Sequence, residues 1–193
     1  MWIVFDKVGK QYGNNIVIND LDWAVGENEI WQVTGPSGCG KTTFIRLLMG
    51  LEKPTKGRII RNKDVKFSAV FQENRLCEHL DTIQNLKLVC PDCTYERLIE
   101  EALKLLPKQE SLFIPTKELS GGMKRRVAVL RAMLADSDIV IFDEPFTGLD
   151  KENVEAVNQY ICEHRNGRTF IFVSHQEPLV MRERIMVRTL ELG

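Results

Sequence analysis

Residues 35 to 42 read Gly35-Pro36-Ser37-Gly38-Cys39-Gly40-Lys41-Thr42 and match the phosphate-binding pattern G-x-x-x-x-G-K-[ST]. The glycines let the backbone curl so that several N–H groups point at one anion, and the helix start behind them adds partial positive charge. The Lys41 ammonium can reach the β- and γ-phosphates, and the Thr42 hydroxyl can ligate Mg²⁺. A strand-like run precedes the loop and a helix-like run follows it. We therefore expect a nucleotide-binding α/β core.

The composition is that of a globular protein. A length of 193 residues suits one domain, and 44% apolar with 27% charged residues is ordinary for a soluble chain. The formal net charge of −1 gives no global basic field for nucleic acid or acidic lipid. The short basic cluster Lys124-Arg125-Arg126 predicts only the solvated start of a helix. With no apolar run of about 18 residues and no signal peptide, we expect a cytoplasmic chain whose membrane role would need a partner.

Five cysteines are an odd count without a framework spacing, which predicts reduced thiols. Cys90-Pro91-Asp92-Cys93 has the spacing of a redox or zinc half-site. Because a second pair and a nearby histidine are missing from its surroundings in the sequence, the pattern favours neither a metal nor a redox function.

Hydrophobic periodicity predicts the order of the elements. Strands are expected over residues 2–8, 16–33 with a break at 26–28, 57–60, 65–71, 139–142, 169–173 and 185–190, and helices over 42–49, most of 78–106, 120–135 and 151–165. The run 139–142 is apolar throughout, as in a strand buried on both faces of a parallel sheet. The order implies an α/β core with a helical insertion near residues 78–135.

Asp143 and Glu144 end the apolar run and lie 102 and 103 positions after Lys41 (143 − 41 and 144 − 41). Acidic residues at a strand end often only mark the surface, but ligands of parallel sheets bind at the carboxyl ends of the strands. Asp143 then suits the Mg²⁺ shell, and Glu144 suits the carboxylate that deprotonates the attacking water. His175 and Gln72 end further predicted strands and should face the same phosphates.

Together these motifs resemble the ATP-binding-cassette (ABC) ATPase family over nearly the whole chain. The resemblance identifies residues 35–42 as the Walker A loop, 139–143 as Walker B, Leu119-Ser120-Gly121-Gly122 as the signature motif, Gly148-Leu149-Asp150 as the D-loop, Gln72 as the Q-loop glutamine and His175 as the switch histidine. It implies the catalytic residues Glu144, His175, Gln72 and Lys41, and the metal ligands Thr42, Gln72 and Asp143. The implied nucleotide contacts are Tyr12, which stacks on adenine, and Gly35, Pro36, Ser37, Gly38, Cys39, Gly40, Lys41, Thr42, Thr43, Ser120, Gly121, Gly122 and Asp150.

The resemblance implies a P-loop NTPase core with a mostly parallel sheet, an N-terminal antiparallel β subdomain and a small helical insertion subdomain. The corresponding boundaries are 1–77 and 136–193 for the RecA-like core with its β subdomain, and 78–135 for the helical subdomain that carries the signature motif. In this family two such domains face each other head to tail, and the signature motif of one closes over the γ-phosphate held by the other. Ser120, Gly121 and Gly122 can do this because they offer a hydroxyl and N–H groups at a helix start.

The implied function is that of the ATPase subunit of a transporter, with ATP and Mg²⁺ as cofactors. The expected partners are a separate transmembrane permease and a second copy of the chain, and an extracytoplasmic substrate-binding protein is a further candidate; nucleic acid is not expected. The residues after Gln72, especially 75–86, would receive a coupling helix of the permease, which would hold the chain on the inner face of the cell membrane. The segment around Gln72 and the Gly122-Met123 pair are most similar to importers of the nitrate, sulfonate and taurine type.

Two alternatives stay open at this point. One is a soluble ABC ATPase acting on DNA or ribosomes, which usually has two cassettes or a long coiled coil; the other is a nucleotide-binding regulatory module with little turnover. Met123 stands where the family's signature most often has Gln, and we expect a tuned contact rather than lost activity. The chain ends 18 residues after His175 (193 − 175), so we expect no C-terminal regulatory domain.

Overall fold

The computed structural model describes residues 1–174 and 186–193. Its larger sheet is parallel in every pairing described, and its strands are β3 (Ile30–Thr34), β5 (Phe67–Val70), β6 (Ile139–Asp143), β7 (Thr169–Val173) and β8 (Val187–Glu191). The strand order is β5-β6-β7-β3-β8. Every residue of β6 and β7 is buried, which agrees with their continuously apolar sequences. The predicted parallel core is confirmed, and β6 pairs with β7 within it.

A second sheet is antiparallel and is built mostly from the N-terminal residues. Its strands are β1 (Ile3–Tyr12), β2 (Asn15–Val25) and β4 (Lys56–Arg61), in the order β2-β1-β4. A turn at Gly13-Asn14 connects β1 to β2. The predicted break at residues 26–28 separates β2 from β3, so one apolar stretch of sequence serves two different sheets.

Five α-helices are present in the described residues: α1 (Lys41–Leu48), α2 (Thr82–Lys87), α3 (Tyr95–Leu103), α4 (Gly121–Leu134) and α5 (Lys151–Glu163). The predicted helices at 42–49, 120–135 and 151–165 are confirmed to within two residues at each end. The block predicted as mainly helical over 78–106 is two short helices, because Pro91 and the Cys90–Cys93 turn interrupt it. None of the described helices combines the length and apolarity that crossing a bilayer requires.

The parallel sheet separates two hydrophobic clusters, and alternate residues of its strands serve each cluster. Ile139 and Ile141 face α1 and the antiparallel sheet. Val140 and Phe142 face α2 to α5, where the Phe142 ring stacks on Phe172 with centroids 4.7 Å apart. Because this second cluster continues from the sheet into α2, α3 and α4, the helical block is held to the core by shared apolar burial. The exact division at residues 77/78 and 135/136 stays a prediction.

The cysteines depart from the sequence prediction of five reduced thiols. Cys90 and Cys93 form a disulfide, with Cα atoms 5.4 Å apart, while Cys39, Cys77 and Cys162 are not disulfide-bonded. A turn brings the pair together, because the Cys93 N–H donates to the Cys90 carbonyl at 3.2 Å. The prediction is therefore wrong for this pair, since local backbone folding supplies the proximity that spacing alone did not establish.

Candidate active site at the phosphate-binding loop

The phosphate-binding loop connects β3 to α1, as predicted. Gly35 has φ 142°, and a Cβ there would lie 2.3 Å from the Leu192 carbonyl oxygen, so a side chain cannot be accommodated. The first helical hydrogen bond runs from the Phe44 N–H to the Gly40 carbonyl at 2.7 Å. The preceding N–H groups therefore have no intrahelical acceptor and are available to an anion. The Lys41 ammonium donates to the carbonyls of Gly35 and Pro36 at 2.7 and 2.9 Å, which places it across the loop.

A cavity of about 540 Å³ opens in front of this loop. Its lining contains residues from β2, from the loop, from α1 and from the segments that follow β5 and β6: Val17, Ser37, Gly38, Gly40, Lys41, Thr42, Thr43, Gln72, Asp143, Glu144 and Thr147. The structure thus brings together most of the residues that the sequence assigned to the phosphates and the metal. Their individual roles stay predictions.

Asp143 and Glu144 occupy the strand end in different ways. Asp143 is the last residue of β6 and is 8% exposed. Burial raises the pKa of its carboxyl, the neighbouring Glu144 raises that pKa further, and the cations of Arg125 and Lys41 oppose the rise. Glu144 has a positive φ of 51°, and its N–H donates to the Val173 carbonyl at 2.9 Å. This uncommon conformation changes the direction of the backbone immediately after β6, at a residue that lines the cavity.

Arg125 is a site residue that the sequence interpretation missed. It lies one turn into α4 and is only 4% exposed, so the prediction of a solvated basic cluster is wrong for this residue. Its Nη1 and Nη2 atoms donate to the carbonyls of Phe71 and Gln72, each at 2.6 Å. One guanidinium therefore fixes the backbone at the end of β5 next to the acidic pair. The sequence offered only a weak signal, a basic residue in the middle of the cluster 124–126 at the start of a helix with many apolar residues.

The signature segment begins α4 as predicted. The Ser120 Oγ caps the helix and accepts from the Met123 N–H at 3.3 Å. Ser120, Gly122, Met123 and Asp150 line a separate cavity of about 620 Å³, which shares no lining residue with the cavity at the phosphate loop. Within one chain, the signature segment and the phosphate loop thus belong to two different cavities.

The other residues predicted for the nucleotide site do not line the phosphate cavity in the described part of the chain. Asp150 caps α5, and its carboxylate accepts from the Asn153 N–H at 2.9 Å and side-chain amide at 2.8 Å; these hydrogen bonds lower its pKa. Tyr12 is 43% exposed and its hydroxyl donates to the Glu52 carboxylate, outside the residues that line the phosphate cavity. His175 lies outside the described residues.

Comparison with known proteins agrees with this architecture. A family model described as ABC transporter matches residues 18–147. The chain belongs to the ABC transporter family. In fold it is similar to the dimeric structure of a post-hydrolysis state of the ATP-binding cassette MJ0796 bound to ADP and Pi, with a TM-score of 0.81, 24% identity, and coverage of 98% of this chain and 94% of that chain. The α/β P-loop NTPase fold predicted from the sequence is confirmed.

Curated relatives are import subunits by name. The chain is 32% identical over 208 residues to the spermidine/putrescine import ATP-binding protein PotA of Protochlamydia amoebophila (strain UWE25). The aligned region covers 96% of this chain and 54% of that protein. It is 35% identical over 203 residues to the Fe(3+) ions import ATP-binding protein FbpC of Brucella abortus (strain 2308), with coverage of 96% and 58%. The chain thus spans about half the length of these relatives. The nitrate, sulfonate and taurine subgroup stays a prediction.

Proposed function

We propose that this chain binds ATP and hydrolyses it to ADP and phosphate, and that two copies arranged head to tail drive import through a separate transmembrane permease. The observation that carries the proposal is the single cavity in which the phosphate loop, Gln72, Asp143 and Glu144 meet. The names of the relatives, which are import ATP-binding proteins, support import as the direction.

The chemistry follows from the groups in that cavity. The loop N–H groups and the Lys41 ammonium would bind the β- and γ-phosphates and stabilise the charge that develops during transfer. The Glu144 carboxylate would accept a proton from the attacking water, which Gln72 and His175 would orient. Tyr12 would stack on the adenine. Lys41, Gln72 and Glu144 line the same cavity, which supports their roles, whereas the roles of Tyr12 and His175 rest on the family resemblance.

The oxygen ligands expected for Mg²⁺ fit the cavity. The Thr42 hydroxyl, the Gln72 side-chain amide and the Asp143 carboxylate all line it, and hard divalent cations prefer oxygen ligands. Three protein oxygens would leave the rest of an octahedral Mg²⁺ shell to phosphate oxygens and water. When bound, Mg²⁺ supplies positive charge to the β- and γ-phosphate oxygens.

The separation of the two cavities supports a two-chain site. Ser120 and Gly122 face a cavity that does not contain their own chain's Lys41, so they would act on the ATP of a second copy. Asp150 lines the same signature-side cavity and would contact the partner's nucleotide site. We accordingly assign 1–77 and 136–193 to the nucleotide-binding core and 78–135 to the helical subdomain.

The further partners follow from this proposal. Residues 75–86 would form part of the groove that receives a coupling helix of the permease, and this contact would hold the chain on the inner face of the cell membrane. An extracytoplasmic substrate-binding protein would deliver the substrate to the permease.

The test replaces Glu144, the proposed base, with its amide. Glu144→Gln keeps the size of the side chain but cannot accept the proton, so turnover should fall by about two to four orders of magnitude. The variant should still bind ATP and should elute as a dimer in size-exclusion chromatography with ATP, whereas the parent returns to monomer as it hydrolyses. A Glu155→Gln variant, at an exposed acidic position that lines neither cavity, serves as the control. Parental phosphate release by Glu144→Gln would remove Glu144 as the base and leave the proposed mechanism without support.

A further inference from the structure

The Cys90–Cys93 disulfide lies apart from the nucleotide cavity and has no role in the proposed hydrolysis. It spans the connection between α2 and α3, and both cysteines are half-buried against the hydrophobic cluster of the helical block. The two cysteines also line a surface cavity of about 340 Å³, together with Arg97, Glu101 and His164. The pair thus packs against the hydrophobic cluster and also borders a surface cavity.

Two features of the surroundings favour a thiolate at Cys93 over one at Cys90. Cys93 directly precedes Thr94, which caps the nine-residue helix α3 by accepting from the Arg97 N–H at 3.3 Å. The Lys87 ammonium donates to the Cys93 carbonyl oxygen at 2.5 Å. A helix start and a neighbouring ammonium both stabilise a thiolate. The nearest acids in sequence, Asp92 and Glu96, are exposed, so water and salt screen their opposing charge. Glu101, which lines the same cavity, is paired with the Lys104 ammonium at 2.8 Å.

We propose that Cys90 and Cys93 are a reversible thiol–disulfide exchange site whose substrates are low-molecular-weight or protein thiols and disulfides. In the oxidising direction, the Cys93 thiolate attacks one sulfur of a disulfide and releases a thiolate, which leaves a mixed disulfide at Cys93. Cys90 loses its proton and attacks the Cys93 sulfur, which forms the 90–93 bond and releases the second thiolate. In the reducing direction, a dithiol supplies the two electrons and two protons and is itself oxidised to a disulfide. This site does not depend on the proposed ATPase function.

The position of the pair connects its redox state to the helical block. The Cys90 N–H donates to the Leu86 carbonyl at 3.1 Å, so the disulfide joins the last turn of α2 to the residue before the cap of α3. The closed ring is very short, which limits its effect on global stability because the loop-closure entropy grows with ring size. Exchange at this site would accordingly change the α2–α3 connection locally without unfolding the domain.

The first experiment incubates the folded chain in mixtures of reduced and oxidised glutathione, quenches with an alkylating agent and maps every cysteine by peptide mass spectrometry. As the oxidised fraction rises, the peptide with Cys90 and Cys93 should pass from two alkylated thiols to an internal disulfide, and dithiothreitol should reverse this under native conditions. The exposed Cys77 is a control within the same chain. A pair that stays fully alkylated in oxidised glutathione, or a bond that excess dithiothreitol does not reduce in the folded chain, overturns the proposal.

The second experiment separates the two cysteines. With Cys90→Ser, Cys93 should form the glutathione adduct at pH 7 about three-fold faster than Cys90 does in Cys93→Ser, because a better stabilised thiolate is more abundant but somewhat less nucleophilic. Equal rates, or a faster Cys90, would contradict the assignment of Cys93 as the attacking thiol. Circular dichroism establishes that both variants are folded; if one is not, the order in which the adducts appear on the parental chain tests the same assignment.

Discussion

Replacing Arg125 should weaken both the fold and the phosphate cavity, because this residue connects α4 to the end of β5. Its guanidinium makes two hydrogen bonds of 2.6 Å, to the carbonyls of Phe71 and Gln72, and the residue is 4% exposed. Hydrogen bonds from a charged donor contribute about 1.5–3 kcal/mol each, so the pair contributes roughly 3–6 kcal/mol. The cost of removing the guanidinium from water offsets part of this, since burial lowers its pKa.

The expected loss for Arg125→Met is therefore about 3 kcal/mol in the free energy of unfolding. Methionine fills much of the same volume but leaves the partly buried carbonyl groups of Phe71 and Gln72 without this donor. Arg125→Lys should cost about half as much, because an ammonium keeps the charge near Asp143 and Glu144 but cannot reproduce the planar fork that reaches both carbonyls. The two variants thus distinguish the contribution of the hydrogen-bond geometry from that of the charge.

Urea denaturation, followed by circular dichroism, measures the change in the free energy of unfolding. The rate of phosphate release at varied Mg²⁺ concentrations measures the effect on the phosphate cavity. The matched control is Lys124→Met, the preceding residue of α4, whose ammonium makes no hydrogen bond or ion pair among the described residues. We expect the control to change stability by less than about 0.5 kcal/mol. A loss below about 1 kcal/mol for Arg125→Met, or equal losses for the methionine and lysine variants, would refute the reasoning.

Three further predictions concern other elements. Ser120→Ala should remove the cap of α4, which costs about 1 kcal/mol of stability, and should abolish ATP turnover while ATP still binds. Ser120→Asp should keep the cap but still abolish turnover. Phosphate release at the parental rate by Ser120→Asp would contradict the phosphate-facing role of Ser120. Phe142→Ala should cost about 3–5 kcal/mol in urea denaturation, because Phe142 is fully buried and stacks on Phe172, and a loss under about 1.5 kcal/mol would contradict that packing. Asp150→Ala should lower the thermal midpoint of unfolding at neutral pH. Because hydrogen bonds lower the pKa of Asp150, the difference in midpoint between variant and parent should shrink as the pH falls through and below the ordinary carboxyl range. A difference that persists at pH 2 would indicate another cause.

The parts of the fold that the sequence predicted correctly depend on short-range pattern. The run 139–142 is apolar at every position, and only a strand covered on both faces suits it, which is what β6 is. Ser120 could be predicted as a cap because a hydroxyl three residues before an N–H is a local arrangement, and the structure has it. The convergence on the phosphate cavity was also predictable, since parallel strands end at one edge of the sheet.

What the sequence did not predict depends on contacts between distant segments. The acceptors of Arg125 lie 54 and 53 positions away, at Phe71 and Gln72, so no pattern within α4 indicates that this basic side chain is buried. The Tyr12 hydroxyl contacts Glu52, 40 positions away, for the same reason. The Cys90–Cys93 disulfide was missed for a different reason. The spacing of the two cysteines is visible in the sequence, but the turn that brings them together is seen only in the structure.

Helix α4 has a structural position in both halves of the proposed two-chain site. Ser120 lies at its N-terminus, in the cavity that would receive the partner's nucleotide, and Arg125 lies five residues further on, which is about 7.5 Å along the axis. Because a helix of this length moves as a rigid element, a displacement of its N-terminus also displaces the Arg125 guanidinium. The guanidinium donates a hydrogen bond to the backbone carbonyl of Gln72, and Gln72 lines the chain's own phosphate cavity. In the proposed two-chain site, closure of the Ser120 end of α4 on the partner's nucleotide would therefore also shift Gln72 at the chain's own phosphate cavity.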